Sequence, residues 1–184
     1  WTDYVKKGGN LVLTCRTAQK DRHGRLPEAP FGSMINELTG NEMEFYDLLL
    51  LEEPGKLRMD GKEYTWNTWG EILKSGKDSQ VWATYTQEFY EGKPAVTTRK
   101  LGKGTVTYVG VDSTDGLLEK DILKKLYAQL NIPVMDLPYG VTLEYRNGMG
   151  IVLNYTDKPY KFVLPSGAKV LIAVSYTHLR AHET

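Results

Sequence analysis

The sequence predicts an α/β domain followed by a small antiparallel β domain. Three observations carry that expectation. A short helical opening is stopped by Gly8-Gly9 and runs straight into the apolar, β-branched run NLVLT, a helix-to-buried-strand join. Residues 117–130 place Leu117, Leu118, Ile122, Leu126 and Leu130 near helical spacing, as one face of a helix on a sheet. After Asn131 the stretch IPVMDLPYG, with Pro133, Pro138 and Gly140, separates this part from a purely β-patterned end. The boundaries that follow are 1–133, 134–174 and a tail at 175–184.

In order along the chain, residues 10–14 form the first strand and residues 15–30 a long polar loop at its C-terminal end. Such loops host binding in open α/β sheets, which makes Arg16, Lys20 and Asp21 candidates for a ligand or subunit contact. Helical spacing resumes at 31–38 and stops at Gly40. Residues 42–51 make a strand, and 56–66 alternate around Asp60-Gly61, a two-residue hairpin signal, so an antiparallel insertion is expected. Further strands fall at 80–85, 93–101 and 105–111, the last two turned back on each other at Lys103-Gly104. Ser113, Thr114 and Asp115 offer caps for the 117–130 helix. Four short strands are expected at the end: 141–145, 150–155, 160–164 and 169–174, with Asn147-Gly148 as the first turn.

Composition narrows the function. The chain has 184 residues, 41% of them hydrophobic, with 23 basic and 23 acidic side chains, so it buries a core and has no basic excess to draw it to nucleic acid. The longest apolar run, at 48–51, is far short of a membrane span, and the N-terminus lacks a signal-peptide pattern; the compartment stays open, with the cytoplasm favoured. A single cysteine, Cys15, and three histidines give no metal-ligand spacing, and no cofactor is expected. Trp1 in place of an initiator Met suggests that the protein begins upstream. SYTHLRAHET at 175–184 reads as a non-native tail, which removes His178 and His182 from consideration.

Individual motifs argue against several chemistries. Gly102-Lys103 beside Gly104-Thr105 is not a phosphate loop, because Thr97 stands where the first glycine belongs and a strand follows. Cys15 after a strand suggests a nucleophile elbow, but Leu13 and Thr17 are too bulky for that turn. The carboxylate pairs Glu42/Glu44, Glu52/Glu53 and Asp112/Asp115 are local in sequence, unlike a glycosidase pair held across a cleft. Trp66, Trp69, Trp82, Tyr85, Phe89 and Tyr90 leave a sugar-stacking platform, and hence a stand-alone carbohydrate-binding module, as an alternative.

Taken together, YVKKGGNLVLTCRTAQKD, EAPFGSMINELTGNEMEFYDLL, VWATYTQEFYEGKPAVTTRKLGKGTVTYVGVD and VLNYTDKPYKFVLPSGAKVL resemble, in order, the C-terminal part of glycoside hydrolase family 42 β-galactosidases. The shared features are Gly-Gly before a strand ending in Arg16-Thr17, Lys20-Asp21, Pro94-Ala95-Val96 with Arg99, Gly102-x-Gly104, and Asn154-Tyr155-Thr156. The resemblance implies a partial flavodoxin-like (class I glutamine amidotransferase-like) trimerisation domain followed by a small antiparallel C-terminal domain. It also implies a parent that hydrolyses terminal β-D-galactosyl residues by a retaining mechanism, through two glutamates on a barrel upstream of Trp1. On that reading no residue here is catalytic, the chain alone is inactive, β-galactoside binds only through the barrel, and the chain's role is to assemble a homotrimer. Arg16, Lys20 and Asp21, with Trp82 and Tyr85 from the aromatic segment, are the expected contacts with the barrel or a neighbouring subunit.

Overall fold

A computed structural model describes residues 1–28, 32–164 and 166–172. The start of the expected 31–38 helix, the end of the 169–174 strand and the whole 175–184 tail lie outside these residues. The chain divides into two compact units, Trp1–Pro133 and the residues from Val134 onward.

The first unit is built mainly of strands. After α1 (Thr2–Lys6) and β1 (Asn10–Thr14) come a 3-10 turn at Ser33–Ile35 and α2 (Asn36–Thr39), ended by Gly40 in the left-handed conformation at φ 71°. Then follow β2 (Asn41–Asp47), β3 (Gly55–Met59), β4 (Lys62–Ser75), β5 (Ser79–Tyr85), β6 (Pro94–Leu101), β7 (Gly104–Val109), β8 (Val111–Ser113) and α3 (Leu117–Gln129). The eight strands form one sheet in the order β1-β7-β6-β5-β3-β4-β2, with β8 paired to β4.

This bears out the α/β expectation only in part: the unit is mostly β sheet with few helices. β1 pairs parallel with β7, and every other pairing in the sheet is antiparallel. The physical reason lies in the connections: links as short as Asp60-Gly61 and Gly102-Lys103 can only return a strand beside its predecessor, whereas a parallel neighbour needs a crossover of a dozen residues or more. The hairpins read as an insertion are therefore the body of the sheet. They also close it. β7 runs through Gly110 into β8, where Gly110 N–H donates to Ala95 O (2.8 Å) and Gly110 O accepts from Glu71 N–H (2.7 Å), joining β6 on one side to β4 on the other.

Two apolar clusters fill the unit. The larger includes Leu57, Trp66, Ile72, Tyr85, Val96 and Val109 and takes in Leu118, Ile122 and Leu126, one face of α3 at i, i+4 and i+8. Each such side chain contributes on the order of 1.5–3 kcal/mol by leaving water. Ser113 Oγ accepts from Gly116 N–H (3.1 Å) and Asp115 Oδ1 from Leu117 N–H (3.0 Å), so two of the three expected caps hold the start of α3. The helix is clamped to the β3–β4 hairpin by Lys125 on Asp60 (2.7 Å) and Lys62 on Asp121 (2.6 Å), and to β5 by Lys125 Nζ 4.7 Å from the centre of the Trp82 ring. Hydrogen bonds from Lys62 and Tyr64 hold the Asp121 carboxyl below its ordinary range. The smaller cluster gathers Val5, Leu13, Ile35, Leu38, Leu73, Val106 and Tyr108 under α1 and α2.

Gly102-x-Gly104 has a steric role. The β6–β7 turn lies directly on the end of α1, with Lys103 N–H donating to Lys6 O (3.1 Å). A Cβ on Gly102 would stand 2.8 Å from Lys6 backbone, and one on Gly104 would strike the carbonyl oxygens of Gly9 and Val5.

In the second unit β9 (Val141–Arg146) and β10 (Met149–Asn154) form the expected hairpin over Asn147-Gly148, both at positive φ. Of the expected strands at 160–164 and 169–174, the described residues 160–164 and 169–172 are non-strand. Alternating apolar residues make a segment able to pair, but a ladder also needs a partner edge in register. Here the chain leaves β10 through a turn in which Asn154 Nδ2 donates to Lys158 O (2.8 Å) and Asn154 Oδ1 accepts from Thr156 N–H (2.9 Å).

Candidate functional site

The loop that begins at the C-terminal end of β1 is built around a buried carboxylate. β1 ends at Thr14, and Arg16 and Ala18 then take positive φ, 66° and 59°, turning the chain sharply off the sheet. That turn is held from β4: Glu71, 1% exposed, accepts from Arg16 N–H (2.8 Å) and Trp69 Nε1–H (3.0 Å) on Oε1 and from Tyr108 O–H (2.5 Å) on Oε2. Three donors make burial of the charge tolerable. The Glu71 carbonyl accepts from Tyr85 O–H (2.9 Å). Burial and then the Glu71 charge push the Tyr108 hydroxyl well above its ordinary range, and burial with the nearby Glu71 and Asp112 carboxylates pushes the Cys15 thiol up to about 12.

Above this buried layer the Arg16 guanidinium lies 5.1 Å from the centre of the Trp69 ring, and Trp69 stacks on Tyr46 with centroids 4.4 Å apart and planes 11° apart. Arg16 Nε donates to Gln19 Oε1 (3.3 Å). Arg16 is thus an exposed cation fixed through its backbone by Glu71 and through its side chain by an aromatic face. Beside the stack, Thr68 N–H donates to Leu49 O (3.1 Å), which places the β2–β3 loop here with Leu48, Leu50 and Leu51 each at least 59% exposed.

The expected contact residues separate under this geometry. Arg16 and Lys20 are exposed. Asp21 is a loop-closing group, its Oδ1 accepting from His23 N–H (2.7 Å) and Arg25 N–H (2.9 Å). Trp82 and Tyr85 cannot face a neighbour as expected, because they are 5% and 1% exposed in the core; the register shifts of β5 against β6, between Val81 and Thr84, interrupt the alternation and leave both in the larger cluster. Trp66 and Trp69 are buried as well, so Trp66, Trp69 and Trp82 present no sugar-stacking face. Cys15 is no activated nucleophile, since its surroundings disfavour the thiolate. Of the carboxylate pairs, Glu42 meets Lys74 (3.1 Å) and Glu44 meets Lys93 (2.7 Å), ordinary surface ion pairs. Among the described residues no helix is long and apolar enough to cross a membrane.

Sequence reasoning missed Glu71. Its signal was a single charge in the aromatic and apolar run TWNTWGEIL. It also missed the exposed leucines of the β2–β3 loop as a surface.

Residues 1–138 match the family described as the beta-galactosidase trimerisation domain. Among curated relatives, the beta-galactosidase BgaH of Haloferax lucentense is 29% identical over 174 residues, covering 95% of this chain and 26% of that protein. The beta-galactosidase LacA of Lactobacillus acidophilus is 32% identical over 108 residues, 59% of this chain and 16% of that one. Among solved structures, the polyextremophilic beta-galactosidase of Halorubrum lacusprofundi superposes with a TM-score of 0.76 at 27% identity over 84% of this chain and 23% of its own. Gan42B, a GH42 beta-galactosidase from G. stearothermophilus, shares the fold with a TM-score of 0.74, covering 85% of this chain and 24% of its own. The chain spans about a quarter of the length of BgaH and of these two structures. With the family match across both apolar clusters and the Glu71 layer, the chain belongs to the beta-galactosidase trimerisation-domain family of glycoside hydrolase family 42.

Proposed function

We propose that this chain is the assembly region of a β-galactosidase and holds three copies of it together. The observation that carries this reading is the family match over 1–138, the residues that build the closed sheet and present Arg16. On this reading residues 1–133 are the trimerisation domain and 134–174 a C-terminal domain. The join of α1 to β1 and the parallel β1–β7 pair support a partial flavodoxin-like ancestry for the first of these. Arg16 and Lys20 are the proposed contact residues. Hydrolysis of terminal β-galactosides belongs to the parent enzyme, through two glutamates outside this chain, and the named activity of the relatives supports that assignment.

Sedimentation equilibrium tests the assembly role. The expected mass is three times 20.8 kDa at micromolar concentration, with no hydrolysis of an aryl β-galactoside by the chain alone. A monomer at every concentration would refute it.

A further inference from the structure

A three-fold ring needs two different patches on each copy, because only a head-to-tail contact closes on three. The structure holds two such patches on opposite faces of one strand. Phe45 and Tyr46 are successive residues of β2 and so point to opposite sides. Tyr46 supports Trp69 and, above it, Arg16. Phe45 supports Phe89, in the turn between β5 and β6, with ring centroids 5.4 Å apart and planes at 14°. Phe89 is nevertheless 84% exposed.

The two patches are complementary in charge and in apolar character. The β1 loop carries Arg16, Lys20, Arg22 and Arg25 against two acids, Glu28 and Asp21, the latter's carboxylate already binding its own loop; Leu48, Leu50 and Leu51 lie alongside. The β5–β6 turn sets Glu88 and Glu91 around Phe89, with Glu91 N–H donating to Glu88 O (3.1 Å) and Glu88 at φ 67°. Among the described residues none of these four cations, nor Glu88 or Glu91, is in an ion pair, although Lys56, Lys62, Lys74, Lys93 and Lys125 all are. Arg16 over the Trp69 and Tyr46 rings has the composition of an interface hot spot, and a guanidinium meets a carboxylate through two parallel hydrogen bonds.

We propose that the Glu88-Phe89-Glu91 turn of one copy docks on the Arg16 and leucine patch of the next, Phe89 entering between the leucines and a glutamate meeting the Arg16 guanidinium. This rests on the assembly reading above and names the surfaces that carry it.

The test is a charge-reversal cycle on the full chain, read by sedimentation equilibrium, with circular dichroism to show that each variant is folded. Arg16→Glu leaves the backbone bond to Glu71 in place, and Glu88→Lys/Glu91→Lys lies on an exposed turn, so both are expected to fold. Each is expected to raise the concentration for half-assembly by about tenfold or more. Combined in one chain they are expected to associate better than either alone, because the reversed charges again face each other. Phe89→Ser is expected to weaken assembly without altering the far-ultraviolet spectrum. A wild-type trimer undisturbed by Arg16→Glu, or effects that simply multiply in the combined chain, would overturn this pairing and leave the assembly role standing. A wild-type monomer would overturn both.

Discussion

Replacing Glu71 tests whether one buried carboxylate organises the loop that carries Arg16. Glu71→Leu keeps the volume and removes the acceptor from three donors: Arg16 N–H at 2.8 Å, Trp69 Nε1–H at 3.0 Å and Tyr108 O–H at 2.5 Å. A buried donor left without a partner costs about 1–3 kcal/mol, and the Trp69 and Tyr108 groups are both buried. Against this stands the desolvation of the charge, which the leucine no longer has to bear. The donors outnumber the single charge, so Glu71→Leu is expected to destabilise by about 3–4 kcal/mol. Glu71→Gln keeps an oxygen for Arg16 and Trp69 and turns its amide toward a Tyr108 oxygen that can accept, so about 1–2 kcal/mol is expected. Urea unfolding followed by tryptophan fluorescence measures both. A Glu71→Leu variant within about 1 kcal/mol of wild type, with unchanged m-value, would refute the reasoning.

Four further outcomes follow from the geometry. Burial and the Glu71 and Asp112 charges raise the Cys15 thiol from 9.0 to about 12, so iodoacetamide should label it at pH 8 at least about tenfold more slowly than a free thiol. With the native thiol binding its proton more tightly than the unfolded one, the stability this group contributes is fully present below pH 9 and is lost as pH rises toward about 12; a Cys15→Ser variant should lose that part of the alkaline transition. Gly104→Ala drives a methyl group into the Gly9 and Val5 carbonyls and should separate α1 from the β6–β7 turn, lowering the Tm by more than Ile122→Ala, whose buried cavity costs about 2–5 kcal/mol; an unchanged Tm would contradict the close approach. Lys125→Met, at a surface ion pair with Asp60, should change stability by less than about 1 kcal/mol in urea unfolding.

Local signals served well where local physics decides. Gly40 ends α2 because its φ of 71° suits glycine, and Asn147-Gly148 turns β9 into β10 because both residues accept positive φ. Leu118, Ile122 and Leu126 lie on the core because a 3.6-residue period leaves them no other face. The order of motifs was enough to mark the family.

Partnership between distant strands was legible only in three dimensions. Nothing in the run of 62–75 shows that one strand serves β3, then β8, then β2, and that rotation of partners is what closes the sheet and makes it mostly antiparallel. Trp82 and Tyr85 read as surface aromatics because composition cannot say where β5 departs from alternation; the shifted register against β6 and the pairing with β3 put both in the core. Glu71 read as one acid among 23, and only the convergence of Arg16, Trp69 and Tyr108 makes it the group that orders the loop. The sequence by itself determined the turns, the helix faces and the family, because those depend on neighbours a few residues apart. Tertiary structure decided which polar groups were buried and which cation was left outward and fixed, because burial depends on what arrives from 37 and 55 residues away, the separations of Tyr108 and Arg16 from Glu71.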